Sequence, residues 1–201
     1  MRWLVSGRSS TPSTRRTSSG SSSPSSEHPP RKTNMTINTF TLPAELTDEE
    51  RNLHSVPLLW ARALDTADAS ILVDLLTDDV VVDLTPATIK IGLEFPVLSG
   101  SETVIPTMIG AVGPLDTMHA VSNVFVERQS DGYRIEAYAL AQHFLPGEGP
   151  DPRSTRHALM GNRWTFFIRR GDAGPRVARF VMDCVWFEGD PSVLLAAVSG
   201  E

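Results

Sequence analysis

The sequence predicts one α+β domain in which helices precede an antiparallel sheet. Three segments with helical spacing of apolar residues come first, and four long strand-like runs then follow one another to the end of the folded region. Short turn sequences join two pairs of these runs, which favours antiparallel neighbours. Helices followed by a meander of strands are typical of the α+β class.

The first two helices are predicted from capping residues and apolar spacing. Thr47 followed by Glu50 is a capping signature, and the apolar residues after it recur every three or four positions, so a helix is expected over 47–63. Asp68 has the character of a second N-cap. The apolar stripe of the second helix comprises Ile71, Leu72, Leu75 and Leu76.

The elements that follow are separated by clear breaks. Residues 80–84 have the β-branched composition of a first strand, and residues 85–100 are punctuated by proline and glycine. Ser101 then caps a third helix that is expected to end near Ala111, before Gly113. The meander is predicted as strands at 119–127, 133–145, 157–169 and 176–187, with hairpin turns at 130–132 and 170–174.

The N-terminal segment differs in composition from the rest of the chain. Residues 1–34 are dominated by Ser, Thr, Pro and Arg, and they hold six basic residues and one acidic residue. Such a segment cannot bury enough apolar area to offset its ordering entropy, so a disordered tail is expected. An organellar transit peptide is the minor alternative, with Met35 as an alternative start. The folded domain is expected over 46–193.

Charge and cysteine content limit the classes of partner. Residues 35–201 hold 12 of the 18 basic and 23 of the 24 acidic residues, a net charge of −11. An acidic body repels phosphate backbones, so no nucleic-acid partner is expected. No apolar run approaches the ~20 residues of a membrane span, so no membrane partner is expected either. The lone cysteine, Cys184, lies in an apolar run, which predicts a buried thiol and a cytoplasmic location.

Histidine and asparagine occur among apolar residues on the predicted strands. Because side chains alternate across a strand, His143 shares a face with three alanines, and these leave space beside the imidazole. The three alanines are Ala137, Ala139 and Ala141. Comparable faces carry His119, Val121, Asn123 and Phe125 on the preceding strand, and Met160, Asn162, Trp164 and Phe166 on the following strand. A few polar groups in an apolar lining are typical of a small-molecule pocket, although a single strand histidine is also compatible with a structural role.

Several other side chains are expected to be structural. Asp83 is interpreted as a structural residue near the first strand, and Arg179 is expected to pair with Asp183 because both lie on one face of the last strand. The aromatic residues expected to pack in the core or in a cavity wall are Trp164, Phe166, Phe180 and Trp186.

Five short motifs in chain order resemble a known family. They are ALDTAD (63–68), DTMHAVSN (116–123), AYALAQH (137–143), GNRW (161–164) and VWFEGD (185–190). Together they resemble the SnoaL-like family, which belongs to the nuclear transport factor 2-like superfamily alongside scytalone dehydratase and bile-acid dehydratases. The resemblance covers residues 46–193 and implies a cone-shaped α+β barrel, with N-terminal helices packed on a curved, mostly antiparallel sheet.

The resemblance also implies roles for single residues. Asp65 corresponds to the dehydratase aspartate, and His119 and His143 correspond to its two pocket histidines. Asn162 corresponds to its substrate-binding asparagine. These four residues are therefore the expected polar groups of the site.

One departure from the family pattern concerns the polarity of the pocket. Two tyrosines and a serine of scytalone dehydratase correspond here to Leu64, Leu84 and Met160, which favours a substrate less polar than scytalone. The expected substrate-binding residues besides Asn162 are Leu64, Leu84, Asn123, Ala139, Ala141, Met160 and Trp164.

The expected chemistry is proton transfer without a metal or other cofactor. A carboxylate that accepts a histidine N–H fixes the tautomer and raises the basicity, so Asp65 is expected to orient His143 as general base, with His119 as acid or oxyanion donor. Proton abstraction next to a carbonyl would then lead to loss of hydroxide, ring closure or isomerisation. A metal site of both histidines with Asp65 or Asp83 is the alternative.

The resemblance thus implies a lyase, isomerase or polyketide cyclase of secondary metabolism. Its substrate would be a small, largely apolar polyketide- or terpenoid-like molecule. A non-catalytic binding or assembly module is the alternative, because one fold hosts many functions. Assembly into a homodimer or homotrimer stays open.

Overall fold

The computed structural model describes residues 47–149, 151, 153, 155–172 and 174–195. The predicted tail at 1–34 lies outside these residues. The helices are α1 (Asp48–Asp65), α2 (Ala69–Leu75), α3 (Thr85–Thr88), which continues into a 3-10 turn (Ile89–Ile91), and α4 (Ser101–Val112). The strands are β1 (Leu76–Asp83), β2 (Leu98–Ser99), β3 (Asp116–Arg128), β4 (Gly132–Phe144), β5 (His157–Gly171) and β6 (Gly174–Gly189).

The strands form one curved sheet in the order β2-β1-β6-β5-β4-β3. β1 is parallel to β6, and the other neighbouring pairs are antiparallel. The predicted α+β class, with helices on a curved and mostly antiparallel sheet, is confirmed. The sheet does not close into the expected barrel, because β2 and β3 are its two edges and β2 is only two residues long.

The end of α1 places Asp65 next to the sheet. The N–H of Asp68 bonds to the carbonyl of Ala63 at 2.9 Å across a left-handed residue, Ala67, which has φ 51°. This pattern ends a helix and reverses the chain within a few residues. Asp68 then caps α2 as predicted, since its carboxylate accepts the N–H of Ser70 at 3.0 Å.

The core lies between the helices and the concave face of the sheet. Trp60 of α1 is 1% exposed, and its ring centroid lies 4.5 Å from that of Phe180 and 5.9 Å from that of Phe166. Trp186 differs from its expected core position, because it is 45% exposed. Its indole lies against Gly161, where a β-carbon would come within 2.1 Å of Trp186 Nε1.

A bulge in β3 changes the predicted face of that strand. Ser122 pairs with Tyr138 and Phe125 pairs with Glu136, so two residues of β3 stand opposite one residue of β4. Asn123, the first of the two, has a left-handed φ of 52°. A bulge shifts the alternation of side chains. Phe125 is therefore 60% exposed and does not share a buried face with Val121 as expected.

Side-chain bonds hold the end of β1 and the segment after it on β6. Asp83 accepts hydrogen bonds from the N–H and hydroxyl of Thr85 at 3.1 and 2.6 Å. Arg179 pairs with Asp83 at 3.3 Å, and Lys90 pairs with Asp183. The expected pair of Arg179 with Asp183 is therefore wrong, because the end of β1 supplies a partner to Arg179 and the 3-10 turn supplies one to Asp183. Asp83 has the structural contacts expected of it.

Among the described residues, no helix is both long and apolar enough to cross a membrane.

Candidate active site

A mostly apolar cavity lies between the helices and the concave face of the sheet. Its volume is about 100 Å³, and its walls come from α1, α3, α4 and the strands β3 to β6. The predicted site residues that line it are Leu64, Leu84, His119, Ala141, His143, Met160, Asn162 and Trp164. Strand pairing explains this convergence, since His119 stands opposite Ala141, and Ala141 stands opposite Met160.

Three predicted site residues do not line this cavity. Asn123 is exposed at the bulge of β3 and borders a separate depression of the surface. Ala139 is buried in the core, where the neighbouring strands carry Val121 and Asn162 opposite it. Asp65 contacts His119 from outside the cavity and borders a separate surface depression. The expectation that these residues face the cavity is corrected accordingly.

Asp65 and His119 form a hydrogen-bonded pair at the cavity wall. The Nδ1–H of His119 donates to Asp65 Oδ1 at 2.6 Å, and the backbone N–H of His119 donates to Oδ2 at 3.0 Å. The hydroxyl of Thr117 donates to Oδ1 at 2.9 Å. The His119 side chain is 4% exposed, against 23% for Asp65. Because Nδ1 is held by the carboxylate, the Nε2 edge of the ring is left for the cavity.

These hydrogen bonds keep Asp65 ionised. Burial by itself raises the pKa of the Asp65 carboxyl, but the hydrogen bonds from the side chain and backbone of His119 outweigh burial, so the pKa lies below its ordinary value of 3.8. A carboxylate in this position fixes the tautomer of the imidazole and stabilises the imidazolium that forms when the ring takes a proton. The pair can therefore act as an oriented base.

The predicted partner of Asp65 was wrong. His143 bonds through Nδ1 to the carbonyl of Ala158 at 3.0 Å, on the neighbouring strand β5. α1 packs on β3, the edge strand that carries His119, whereas His143 is one strand further into the sheet. The carboxylate at the end of α1 thus reaches the nearer histidine.

His143 is a neutral hydrogen-bond acceptor toward the cavity. Burial lowers the pKa of His143 to about 4, and the adjacent His119 ring, 5.4 Å away between centroids, adds to this effect. In a neutral ring whose Nδ1–H donates to Ala158, the lone pair is on Nε2. His143 can accept a hydrogen bond from a ligand there, but it carries no proton at Nε2 to give.

Two fully buried polar atoms of the cavity residues have no hydrogen-bond partner among the described residues. They are Asn162 Oδ1 and Trp164 Nε1, and the two residues are 3% and 2% exposed. Buried polar atoms without a partner are rare in folded proteins. They mark this wall of the cavity as a place where a ligand can supply the missing bonds.

The side chains do not converge as a metal site. Among the residues that the structure describes, no group of three His, Cys, Asp or Glu has the geometry to hold a metal ion. The carboxylate of Asp65 is directed at Nδ1 of His119 rather than toward a point shared with His143. The alternative of two histidines and a carboxylate around a metal is therefore not formed by these side chains.

Sequence reasoning missed the residues that cover the cavity. The cover includes Thr88 of α3, together with Ile91, Leu93 and Phe95 of the segment that was predicted only as punctuated by proline and glycine. Leu194, beyond β6, also lines the cavity. The apolar residues inside that segment were the sequence signal that could have predicted a buried cover over the cavity. Thr117 was also missed, although it lies two positions from His119 and so on the same strand face.

Comparison with known proteins supports the fold. A family model described as SnoaL-like domain matches residues 45–181. No curated protein matches the chain by sequence. The Kfla4162 protein from Kribbella flavida has a solved structure that is 17% identical, with a TM-score of 0.62, and the match covers 73% of this chain and 96% of that chain.

Two further solved structures carry names of elimination enzymes. A proposed scytalone dehydratase from Novosphingobium aromaticivorans is 15% identical over 71% of this chain and 87% of its own, with a TM-score of 0.56. The hexachlorocyclohexane dehydrochlorinase LinA-type3 from Novosphingobium barchaimii is 14% identical over 71% of this chain and 90% of its own, also with a TM-score of 0.56. At these identities the likeness shows the shared nuclear transport factor 2-like fold.

The predicted family is confirmed, because the family model covers more than half of the 201 residues and includes Asp65, both cavity histidines and Asn162. The chain belongs to the SnoaL-like domain family.

Proposed function

We propose that this protein is an enzyme that removes a proton from a small, largely apolar metabolite, with His119 as general base and Asp65 as the residue that orients it. The observation that carries the proposal is the short bond from His119 Nδ1 to an ionised carboxylate, at the wall of an apolar cavity. A pure binding module has no need of such a coupled pair. His119 thus takes the role of base that the sequence-based hypothesis gave to His143, and His143 becomes a hydrogen-bond acceptor for the substrate.

The reaction follows from where the protons are held. Nε2 of His119 takes a proton from a carbon of the substrate, and Asp65 stabilises the imidazolium that results. The electron pair of the broken C–H bond forms a C=C double bond, or it attacks a carbonyl carbon of the same substrate, whose π pair moves to oxygen, and so closes a ring. A leaving group departs in an elimination, or the proton is returned to another carbon in an isomerisation. His143 and Asn162 hold polar groups of the substrate.

The lining supports a substrate with few polar groups. Leu64, Leu84 and Met160 give the cavity an apolar lining. Each polar group of a ligand that is buried there without a hydrogen-bond partner would therefore cost about 1–3 kcal/mol of binding free energy. A polyketide- or terpenoid-like skeleton fits this condition. The names dehydrochlorinase and dehydratase, carried by proteins of the same fold, both describe eliminations and support the lyase class.

A metabolite extract of the source organism, incubated with the protein in deuterium oxide, tests this proposal. We expect mass spectrometry to detect a metabolite that the natural protein converts or deuterates. The His119→Gln variant should bind the same metabolite but leave it chemically unchanged. The glutamine variant is the matched control, because it keeps a polar side chain in the cavity and removes the base. A metabolite that both proteins bind and neither changes would favour the non-catalytic binding module instead.

The residues at positions 64 and 84 should set the preference for hydroxylated ligands. In Leu64→Tyr/Leu84→Tyr we expect the affinity for 5-indanol relative to indane to rise about tenfold, because the new hydroxyls offer hydrogen bonds to the phenol. Both ligands are measured by calorimetric titration. The control, Leu64→Phe/Leu84→Phe, adds the rings without the hydroxyls. An equal rise in the phenylalanine variant would assign the effect to shape rather than to polarity.

A further inference from the structure

The indole N–H of Trp164 is a buried donor without an acceptor among the described residues. Trp164 is 2% exposed and lines the cavity, and its ring centroid lies 5.8 Å from that of His119. The indole ring is therefore held beside the base, and its N–H is shielded from water. A ligand atom that accepts this N–H would satisfy it.

The other polar groups of the cavity wall differ from Trp164 in their partners or in what they can bind. Nδ1–H of His143 donates to Ala158, and the hydroxyl of Thr88 donates to the carbonyl of Leu84 at 3.2 Å. His119 must accept a proton if it is the base. The fully buried atom of Asn162 without a partner is Oδ1, which can only accept a hydrogen bond, here from a donor on the ligand. Of the two fully buried atoms that have no partner among the described residues, Trp164 Nε1 is therefore the donor.

We propose that Trp164 Nε1–H binds a carbonyl oxygen of the substrate, so that the substrates are ketones or related carbonyl compounds whose α-carbon faces His119. This inference rests on the proposed function and narrows it to a substrate class. Trp164 is then a catalytic residue that touches the substrate oxygen and determines specificity. The oxyanion donor expected from the sequence is thus an indole rather than a histidine.

The chemical step balances within the site. His119 Nε2 takes the proton from the α-carbon, the C–H electron pair becomes the C=C bond of the enolate, and the carbonyl π pair moves to oxygen. Trp164 donates its N–H to that oxygen as negative charge develops. The enolate then takes the proton back at carbon, or it expels a leaving group from the β-carbon. A donor placed where charge develops stabilises the transition state more than the ground state.

The experiment uses 1-indanone and indane, two bicyclic molecules of similar shape that differ by the carbonyl group. Calorimetric titration gives the affinity of each for the full-length protein, and proton NMR in deuterium oxide gives the rate of exchange of the α-protons of 1-indanone. The variants are Trp164→Phe, which keeps a flat apolar ring, and His119→Gln. Replacement of Trp164 by 3-benzothienylalanine, which keeps the fused bicyclic ring and has sulfur in place of the N–H, controls for a packing effect.

For the natural protein we expect tighter binding of 1-indanone than of indane, and faster α-proton exchange than in buffer. Loss of the Trp164 N–H should reduce the ketone preference about tenfold and the exchange rate about 100-fold, while indane binding is kept. Exchange that depends on His119 but is unchanged in both Trp164 variants would overturn this inference and leave the proposed function standing. Absence of both ketone preference and exchange in the natural protein would overturn the carbonyl class, whatever the metabolite experiment finds.

Discussion

Asp65→Asn is expected to reduce kcat by about 10³- to 10⁴-fold while ligand affinity changes little, an effect of the size seen when an orienting carboxylate loses its charge. The reason is the tautomer of His119. Asp65 accepts the Nδ1–H of the ring and the backbone N–H of the same residue. The asparagine side chain has only one oxygen for these two donors. Since the backbone N–H of His119 can only donate a hydrogen bond, the amide oxygen of the asparagine turns to it. The NH₂ group of the asparagine then faces Nδ1.

An NH₂ group at Nδ1 forces the lone pair of His119 onto Nδ1 and the proton onto Nε2. The ring edge that faces the cavity then carries a hydrogen and cannot accept one. The substrate still fits, because Asp65 does not line the cavity. The loss should therefore appear in kcat rather than in binding.

Turnover and affinity are measured with the metabolite identified by the deuterium experiment, and nitrogen-15 NMR reports the tautomer of His119. His119→Gln is the matched control, since it removes the base outright and should give a loss at least as large. Equal losses of affinity and rate in Asp65→Asn would contradict the orienting role. An unchanged tautomer together with full activity would do the same.

Acidification from pH 7 to pH 4 is expected to destabilise the protein by about 3 kcal/mol through His143 alone. The pKa of this buried ring is about 4 in the folded protein, against an ordinary value of 6.5. Between these values the unfolded chain binds a proton that the folded protein excludes, so the free energy of unfolding falls as the pH falls. The stabilisation is fully present above pH 6.5 and is lost through this window.

Denaturant unfolding at a series of pH values measures this effect, with His143→Gln as the control. Glutamine does not titrate, and its amide NH₂ can still donate to the carbonyl of Ala158. The variant should therefore lose about 3 kcal/mol less than the natural protein between pH 7 and pH 4. Asp65 does not affect the comparison, because it is present in both proteins. Its lowered pKa also places its titration in the folded protein below the range from pH 7 to pH 4. Parallel pH curves for the two proteins would refute the prediction.

Local signals in the sequence determined the order and type of the main elements. Asp68 as a cap, the turn at 130–132 and the alternation along 133–145 each depend on residues close together in the chain, and each is found in the structure. The same alternation brought His143 and Ala141 to one cavity wall. Strand pairing added His119 and Asn162 to it.

Only the tertiary structure decided which groups act together. The partner of Asp65 depends on which strand lies under the end of α1, and the sequence pattern alone does not tell which of the two histidines that strand carries. The face of Asn123 depends on the bulge opposite Ala137, which register with β4 imposes. Arg179 and Asp183 have partners on a segment about 90 residues earlier in the chain, as the bonds with Asp83 and Lys90 show. Such contacts are decided by packing between distant segments, because a residue's local sequence encodes its conformation but not the neighbour that folding brings to it.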